Sequence, residues 1–111
     1  MPADLRDRRC VPCRRGDPKL DPGRIADLLR QVPGWEVQDE RLRRSFTFAD
    51  FAAAMRFVNR MAAVADAEDH HPDFTVHYAR VDVEIWTHVV DGLSENDFVL
   101  AAKIAVLADQ P

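Results

Sequence analysis

Four histidines stand in this chain, and three of them, His70, His71 and His88, occupy positions from which they can share one reaction site. An imidazole titrates near pH 6.5, so its proton-donating and proton-accepting forms are both accessible around neutrality. Two carboxylates, Asp66 and Asp69, flank the adjacent pair. Asp66 lies about one helical turn before His70 if helix persists that far, and either carboxylate can accept an imidazole N–H. Such a set suits a reaction in which one group gives a proton while another takes one. The competing reading is a polar surface loop in which Asp-His-His-Pro only ends a helix. A metal site is a third reading, weakened because adjacent side chains diverge in an extended loop and no HExxH pair shares a helical face. His77 falls within a strand pattern, outside the motif, and reads as a surface or interface side chain.

Whether the three histidines meet depends on the elements around them. Asp21 and Pro22 supply an N-cap and first-turn proline, and Ile25, Leu28, Leu29 and Val32 repeat at helical spacing until Pro33-Gly34 stops them. Residues 35–38 and 42–48 read as two strands joined at Asp39-Glu40-Arg41, with Leu42, Arg44, Phe46 and Phe48 on one face. Residues 49–67 change to a period of 3.6, with Phe51, Met55, Val58, Ala62 and Ala65 as the apolar stripe and Asp50 at the N-terminal end. Pro72 disfavours helix at His71, so a polar loop starts there. Phe74, Val76 and Tyr78 alternate, then Val81, Val83 and Ile85, predicting a second hairpin with the latter three turned towards the helices. Ser94 precedes Glu95, Asn96 and Asp97 as a capping-box-like start to a last helix, whose stripe is Phe98, Ala101, Ala102, Ala105 and Ala108. Trp35, Phe46, Phe48, Phe51 and Phe57 read as packing residues.

The order α-β-β-α-β-β-α predicts an α+β, two-layer domain: a four-stranded antiparallel sheet with three helices on one face. In that topology the loop entering the third strand lies beside the exit of the fourth. His88 therefore returns to His70 and His71. At least one sheet edge is left free, and pairing of edges between subunits would protect it.

With 111 residues, 47% hydrophobic and 31% charged, the chain suits one soluble domain over residues 20–111 behind an irregular, flexible arm over residues 1–19. A net charge of −4 argues against nucleic acid or anionic membrane as partner. The first residues lack a hydrophobic signal core, which places the protein in the cytoplasm. Cys10 and Cys13 are spaced as half a zinc site or a redox pair, but no second cysteine pair completes four ligands, and a flexible or locally packed arm is the preferred reading.

The run Glu68-Asp69-His70-His71-Pro72-Asp73, followed by Tyr78, by Thr87-His88 and by Gly92-Leu93-Ser94-Glu95-Asn96-Asp97, resembles the pterin-4a-carbinolamine dehydratases, also called dimerization cofactors of a homeodomain transcription factor. The His-His-Pro to Thr-His spacing is its specific part. The likeness runs from about Cys10 to Leu107. It implies the same element order and a homodimer or homotetramer. It also implies a pterin carbinolamine substrate such as 4a-hydroxytetrahydrobiopterin, with quinonoid dihydropterin and water as products and no metal or organic cofactor. Whether an aromatic amino acid hydroxylase is the pathway partner stays open. By the same resemblance His70 and His88 are the main acid/base groups, and His71 positions substrate and assists proton transfer. Asp69 lies in the binding site, and Trp86, Thr87 and Val89 line the pocket. Asp66 and Phe74 stand where the animal enzymes carry Glu and Trp: Asp66 has a shorter reach towards a histidine, and Phe74 still offers a stacking face. Asp97 matches an acidic family position, but its simplest role is at the first turn of the last helix. A binding protein that kept the fold, either an assembly factor for a carbon-fixing enzyme or a transcription-factor dimerization partner, is the alternative function.

Overall fold

The computed structural model describes residues 4–110; the first three residues of the expected arm and the last of the expected domain lie outside it. Its helices are α1 (Pro22–Leu29), α2 (Phe51–Glu68) and α3 (Glu95–Ala108), and its strands are β1 (Glu36–Gln38), β2 (Arg41–Thr47), β3 (Asp73–His77) and β4 (Arg80–Ile85). The strands form one antiparallel sheet in the order β1-β2-β4-β3. The expected α+β class and element order are therefore observed.

Local chemistry sets the boundaries. Asp21 and Asp50 cap α1 and α2 by accepting the N–H groups of Arg24 and Ala53. These bonds satisfy donors that the first helical turn leaves without partners. The first hairpin turns on two residues rather than the three expected: Asp39 and Glu40 both have φ near +55°, at 54° and 59°, and Arg41 already pairs with Gln38. Left-handed backbone at both central positions matches the right-handed twist of the flanking strands. The second hairpin also has a two-residue turn, so Tyr78, expected to end a strand, sits in it at φ 54° while His77 pairs with Arg80.

Leu42, Phe46, Val81, Val83 and Ile85 are buried on the helix side of the sheet, as their alternation requires. The buried stripe of α2 is Ala54, Phe57, Val58, Met61 and Ala65: Val58 and Ala65 are buried as expected, Met55 is half-buried, and Phe51 and Ala62 are exposed. Phe51 is 49% exposed and stacks on Tyr78 instead of entering the core. The expected small-residue stripe of α3 also gives way to a wider face: Phe98, Val99, Leu100, Ala101 and Ile104 are all buried. A helix apolar on several sides must be covered on several sides. The segment ahead of α1 supplies part of that cover. Its short 3-10 turn, Leu5–Asp7, buries Leu5 in the core cluster, and Lys103 on α3 donates to the Arg6 carbonyl.

Among the described residues no helix is long and apolar enough to cross a membrane.

Phe57 is 2% exposed, with ring centroids 4.8 Å from Phe46 and 5.0 Å from Phe48. Phe57→Ala should lower unfolding free energy by about 3–5 kcal/mol, the usual result of emptying a buried aromatic site. A urea titration in which the midpoint moves by less than the equivalent of about 1 kcal/mol would show that this ring is not part of the core.

Candidate active site

The end of α2 aims the first two histidines. Asp69 closes the helix in the left-handed conformation, φ 51° and ψ 41°, with its N–H turned back to the carbonyls of Ala65 and Asp66. A β-branched residue would resist that conformation, whereas Asp tolerates it. The His70 N–H also returns to the Ala65 carbonyl at 3.2 Å, so the chain leaves the helix in a fixed direction. Pro72 then keeps His71 out of the helical region and has no N–H to continue a helix, and β3 begins at Asp73.

The third histidine is delivered by a closed loop after β4. Thr87 and Gly92 exchange backbone hydrogen bonds at 2.9 and 3.4 Å, and the enclosed segment His88–Val90 makes one 3-10 turn. This bridge stands at the start of α3, which brings Ser94 and Asp97 against Thr87. His88 stacks on Trp86, with ring centroids 3.9 Å apart and an interplanar angle of 22°. The Arg41 guanidinium lies 4.2 Å from the Trp86 ring, and the Trp86 indole N–H reaches Asp73 at 3.4 Å.

Asp97 ties these pieces together. Its carboxylate is fully buried; Oδ1 lies 2.6 Å from His70 Nε2, and Oδ2 accepts the Thr87 hydroxyl at 2.9 Å and the Ser94 N–H at 2.8 Å. The Ser94 bond completes a capping box, so the structural role expected for Asp97 is present. The contact with His70 adds a second role that the simplest reading omitted. A carboxylate on Nε2 makes that nitrogen the protonated one and leaves Nδ1 of neutral His70 to accept a proton.

His71 is held more openly. Its Nε2 lies 3.0 Å from Asp66 Oδ1, and both side chains are mostly exposed. The shorter reach of Asp66 is therefore sufficient, but solvent weakens the pair.

His70, His71 and His88 line one cleft of about 650 Å³, together with Asp69, Trp86, Thr87 and Val89. That volume falls within the range of small-molecule sites. Val89 is 52% exposed on the cleft, whereas Thr87 is 4% exposed and its hydroxyl is engaged by Asp97 and Ser94. Phe74 stands apart: it is not among the residues that line the cleft, and in register with Val83 it lines a neighbouring depression on the sheet. Its ring is 41% exposed there. His77 is also outside the cleft, beside Thr75 and Asp82. Among the described residues no three His, Cys, Asp or Glu side chains are grouped to hold a metal ion.

Sequence reasoning missed one side of the cleft. Residues 10–13, Glu68 and Asn96 also line it. The Cys-x-x-Cys spacing drew attention to that segment, but its only sequence signal pointed to metal or redox chemistry rather than to a place beside the histidines.

Comparisons with known proteins bear on the family and the fold. The family model described as pterin 4 alpha carbinolamine dehydratase matches residues 18–107. A protein of Stenotrophomonas maltophilia strain K279a, provisionally named pterin-4-alpha-carbinolamine dehydratase, is 51% identical over 108 residues, covering 96% of this chain and 93% of the relative. A Rubrobacter xylanophilus protein with the same provisional name is 47% identical over 103 residues, 92% of this chain and 96% of the relative. Among solved structures, the transcriptional coactivator/pterin dehydratase of Brucella melitensis superposes with a TM-score of 0.78 at 37% identity, over 81% of this chain and 98% of that one. A pterin dehydratase-like RuBisCO assembly factor of the alpha-carboxysome shares the fold, with a TM-score of 0.58 at 19% identity over 69% of this chain and 89% of that one. With its three histidines in one cleft and a family match over most of its length, the chain belongs to the pterin 4 alpha carbinolamine dehydratase family.

Proposed function

We propose that this protein is a 4a-hydroxytetrahydrobiopterin dehydratase, removing water from a pterin 4a-carbinolamine to give the quinonoid dihydropterin. The observation that carries the reading is the convergence of His70, His71 and His88 on one cleft of about 650 Å³, within the range of small-molecule sites. In the reaction the C4a–O bond breaks and the hydroxyl leaves as water with a proton from one group. N5 loses its proton to another group, and the electrons of that N–H bond form the new C=N bond. No oxidant or metal is needed.

His70 and His88 divide the donor and acceptor roles, and His71 positions the ring. Asp97 keeps His70 in the tautomer whose Nδ1 can receive a proton, and it stabilises the imidazolium once formed. Trp86 holds the His88 ring in place by stacking, with the Arg41 guanidinium packed 4.2 Å from the same indole. Asp69 and Val89 shape the cleft rim, Asp66 orients His71, and Thr87 acts through Asp97.

In β3, a free edge of the sheet, four of five residues are exposed. Pairing of this edge between copies would give a homodimer, which helix contacts could extend to a tetramer. The competing reading is a binding protein on the same fold, as the name of the RuBisCO assembly factor indicates for that protein and as the coactivator half of the Brucella protein's name does for that one. Retention of all three histidines favours turnover, because docking through a helix face or strand edge does not require imidazoles.

Carbinolamine loss followed spectroscopically should be accelerated by the purified protein, and His70→Ala and His88→Ala should each slow it on the order of 10²-fold or more. Wild-type rates no faster than the uncatalysed dehydration would reject the dehydratase. Asp97→Asn keeps the side-chain shape but removes the charge that holds His70. It should reduce kcat about 10- to 100-fold, in line with the loss of other groups that orient a working histidine, while KM stays within about threefold. An unchanged kcat in the folded variant would limit Asp97 to its capping role.

A further inference from the structure

The Cys-Val-Pro-Cys segment takes no part in the proton transfers above, and the family match begins downstream of it, at residue 18. Its position is nonetheless specific, because Cys10, Val11, Pro12 and Cys13 run along the same cleft as the three histidines.

Asn96 holds them there. Its side chain is 7% exposed and pairs with the Val11 backbone as a strand would, Oδ1 accepting the N–H at 2.9 Å and Nδ2 donating to the carbonyl at 2.5 Å. Nδ2 also lies 3.4 Å from Cys13 Sγ, and the Asn96 carbonyl lies 3.6 Å from Cys10 Sγ. The two sulfurs thus bracket one asparagine. A second anchor comes from α2, where Glu68 accepts the Cys10 N–H at 2.8 Å and is itself held by Arg9 at 3.2 Å and Lys103 at 3.8 Å.

This geometry favours a structural use of the thiols over a reactive one. Burial, and then the neighbouring Glu68 carboxylate, push the Cys10 thiol up to about 12. Cys10 therefore stays protonated and donates S–H to the Asn96 carbonyl, since the thiolate is the form that attacks or binds metal. With its backbone clamped, Val11 is left with a 64% exposed apolar side chain on the cleft. Ligand pockets combine apolar lining with a few placed polar groups, and Val11 supplies an apolar side chain in the cleft that holds the histidines.

We propose that residues 10–13 form a substrate-binding wall of the cleft that holds the histidines, with Val11 as the side chain that a bound pterin covers and Asn96 as the positioning residue that sets the wall in place. The proposal rests on the pterin reading of the cleft and extends it to a segment outside the family match. In chemical terms the wall recognises an apolar surface of the ligand, its ring face or ring substituent, and takes no proton.

Steady-state dehydration by the full-length protein and by Val11→Asp and Asn96→Ala tests this directly. Both variants should raise KM about tenfold while kcat stays within about threefold, the pattern of a lost binding contact. Val11 is exposed, so Val11→Asp preserves folding even if Asn96→Ala does not. In parallel, iodoacetamide labelling of Cys13 in the wild-type protein, read by mass spectrometry, should be slowed at least about threefold by saturating 7,8-dihydrobiopterin, since a bound ligand protects the surface it covers. Wild-type turnover with unchanged KM in Val11→Asp would overturn the wall and leave the dehydratase standing. Protection of Cys13 without any wild-type turnover would uphold the wall and reject the dehydratase. Absence of both turnover and protection would reject the two together.

Discussion

One buried carboxylate organises the site. Asp97 is cut off from solvent and would be costly to hold as a charge without partners. The fold surrounds it with three: the His70 ring, the Thr87 hydroxyl and the Ser94 N–H. These belong to the loop after α2, the exit of β4 and the start of α3. Satisfying one charge therefore ties the loop after α2, 27 residues away, to the turn between β4 and α3, and these two stretches carry the histidines. Stability and geometry are coupled through that group, so the site cannot relax without unpairing it.

The same coupling separates the histidines by environment. His70 is mostly buried against Asp97, His71 is open to solvent beside Asp66, and His88 is held by the Trp86 ring. A carboxylate fixes which nitrogen carries the proton, whereas a stacked ring leaves both nitrogens free to exchange. Three identical side chains thereby stand in unequal environments, which is what the proposed acid/base division of labour requires. The wall proposed at residues 10–13 would supply what the histidines lack, an apolar surface against a flat heterocycle.

Much of the fold was legible because hydrophobic period and turn chemistry agree along the chain. Alternation through Val81, Val83 and Ile85 named their buried face, and the two hairpins made the return of His88 to His70 a matter of topology. The errors arose where a residue answers to a distant partner. Phe51 follows the helical period yet stacks on Tyr78 outside the core, and Tyr78 itself sits in a turn. The breadth of the buried face on α3 depends on cover from the segment around Leu5, which no periodicity within α3 reveals. Asp97 was recognised as a capping residue because that signal is local. Its bond to His70 spans 27 residues and has no local signature. The contact of Cys10 and Cys13 with Asn96 is more distant still, and motif spacing alone suggested a different chemistry.

The account depends most on where a pterin sits, and a crystal structure with a bound dihydropterin measures that. It should show the ring in the cleft with N5 within about 2.6–3.2 Å of an imidazole nitrogen from His70 or His88, the reach that proton transfer needs, and the other imidazole on the side of C4a from which the hydroxyl leaves. A pterin seated instead in the sheet depression beside Phe74 and Val83, with the three imidazoles facing solvent, would contradict it.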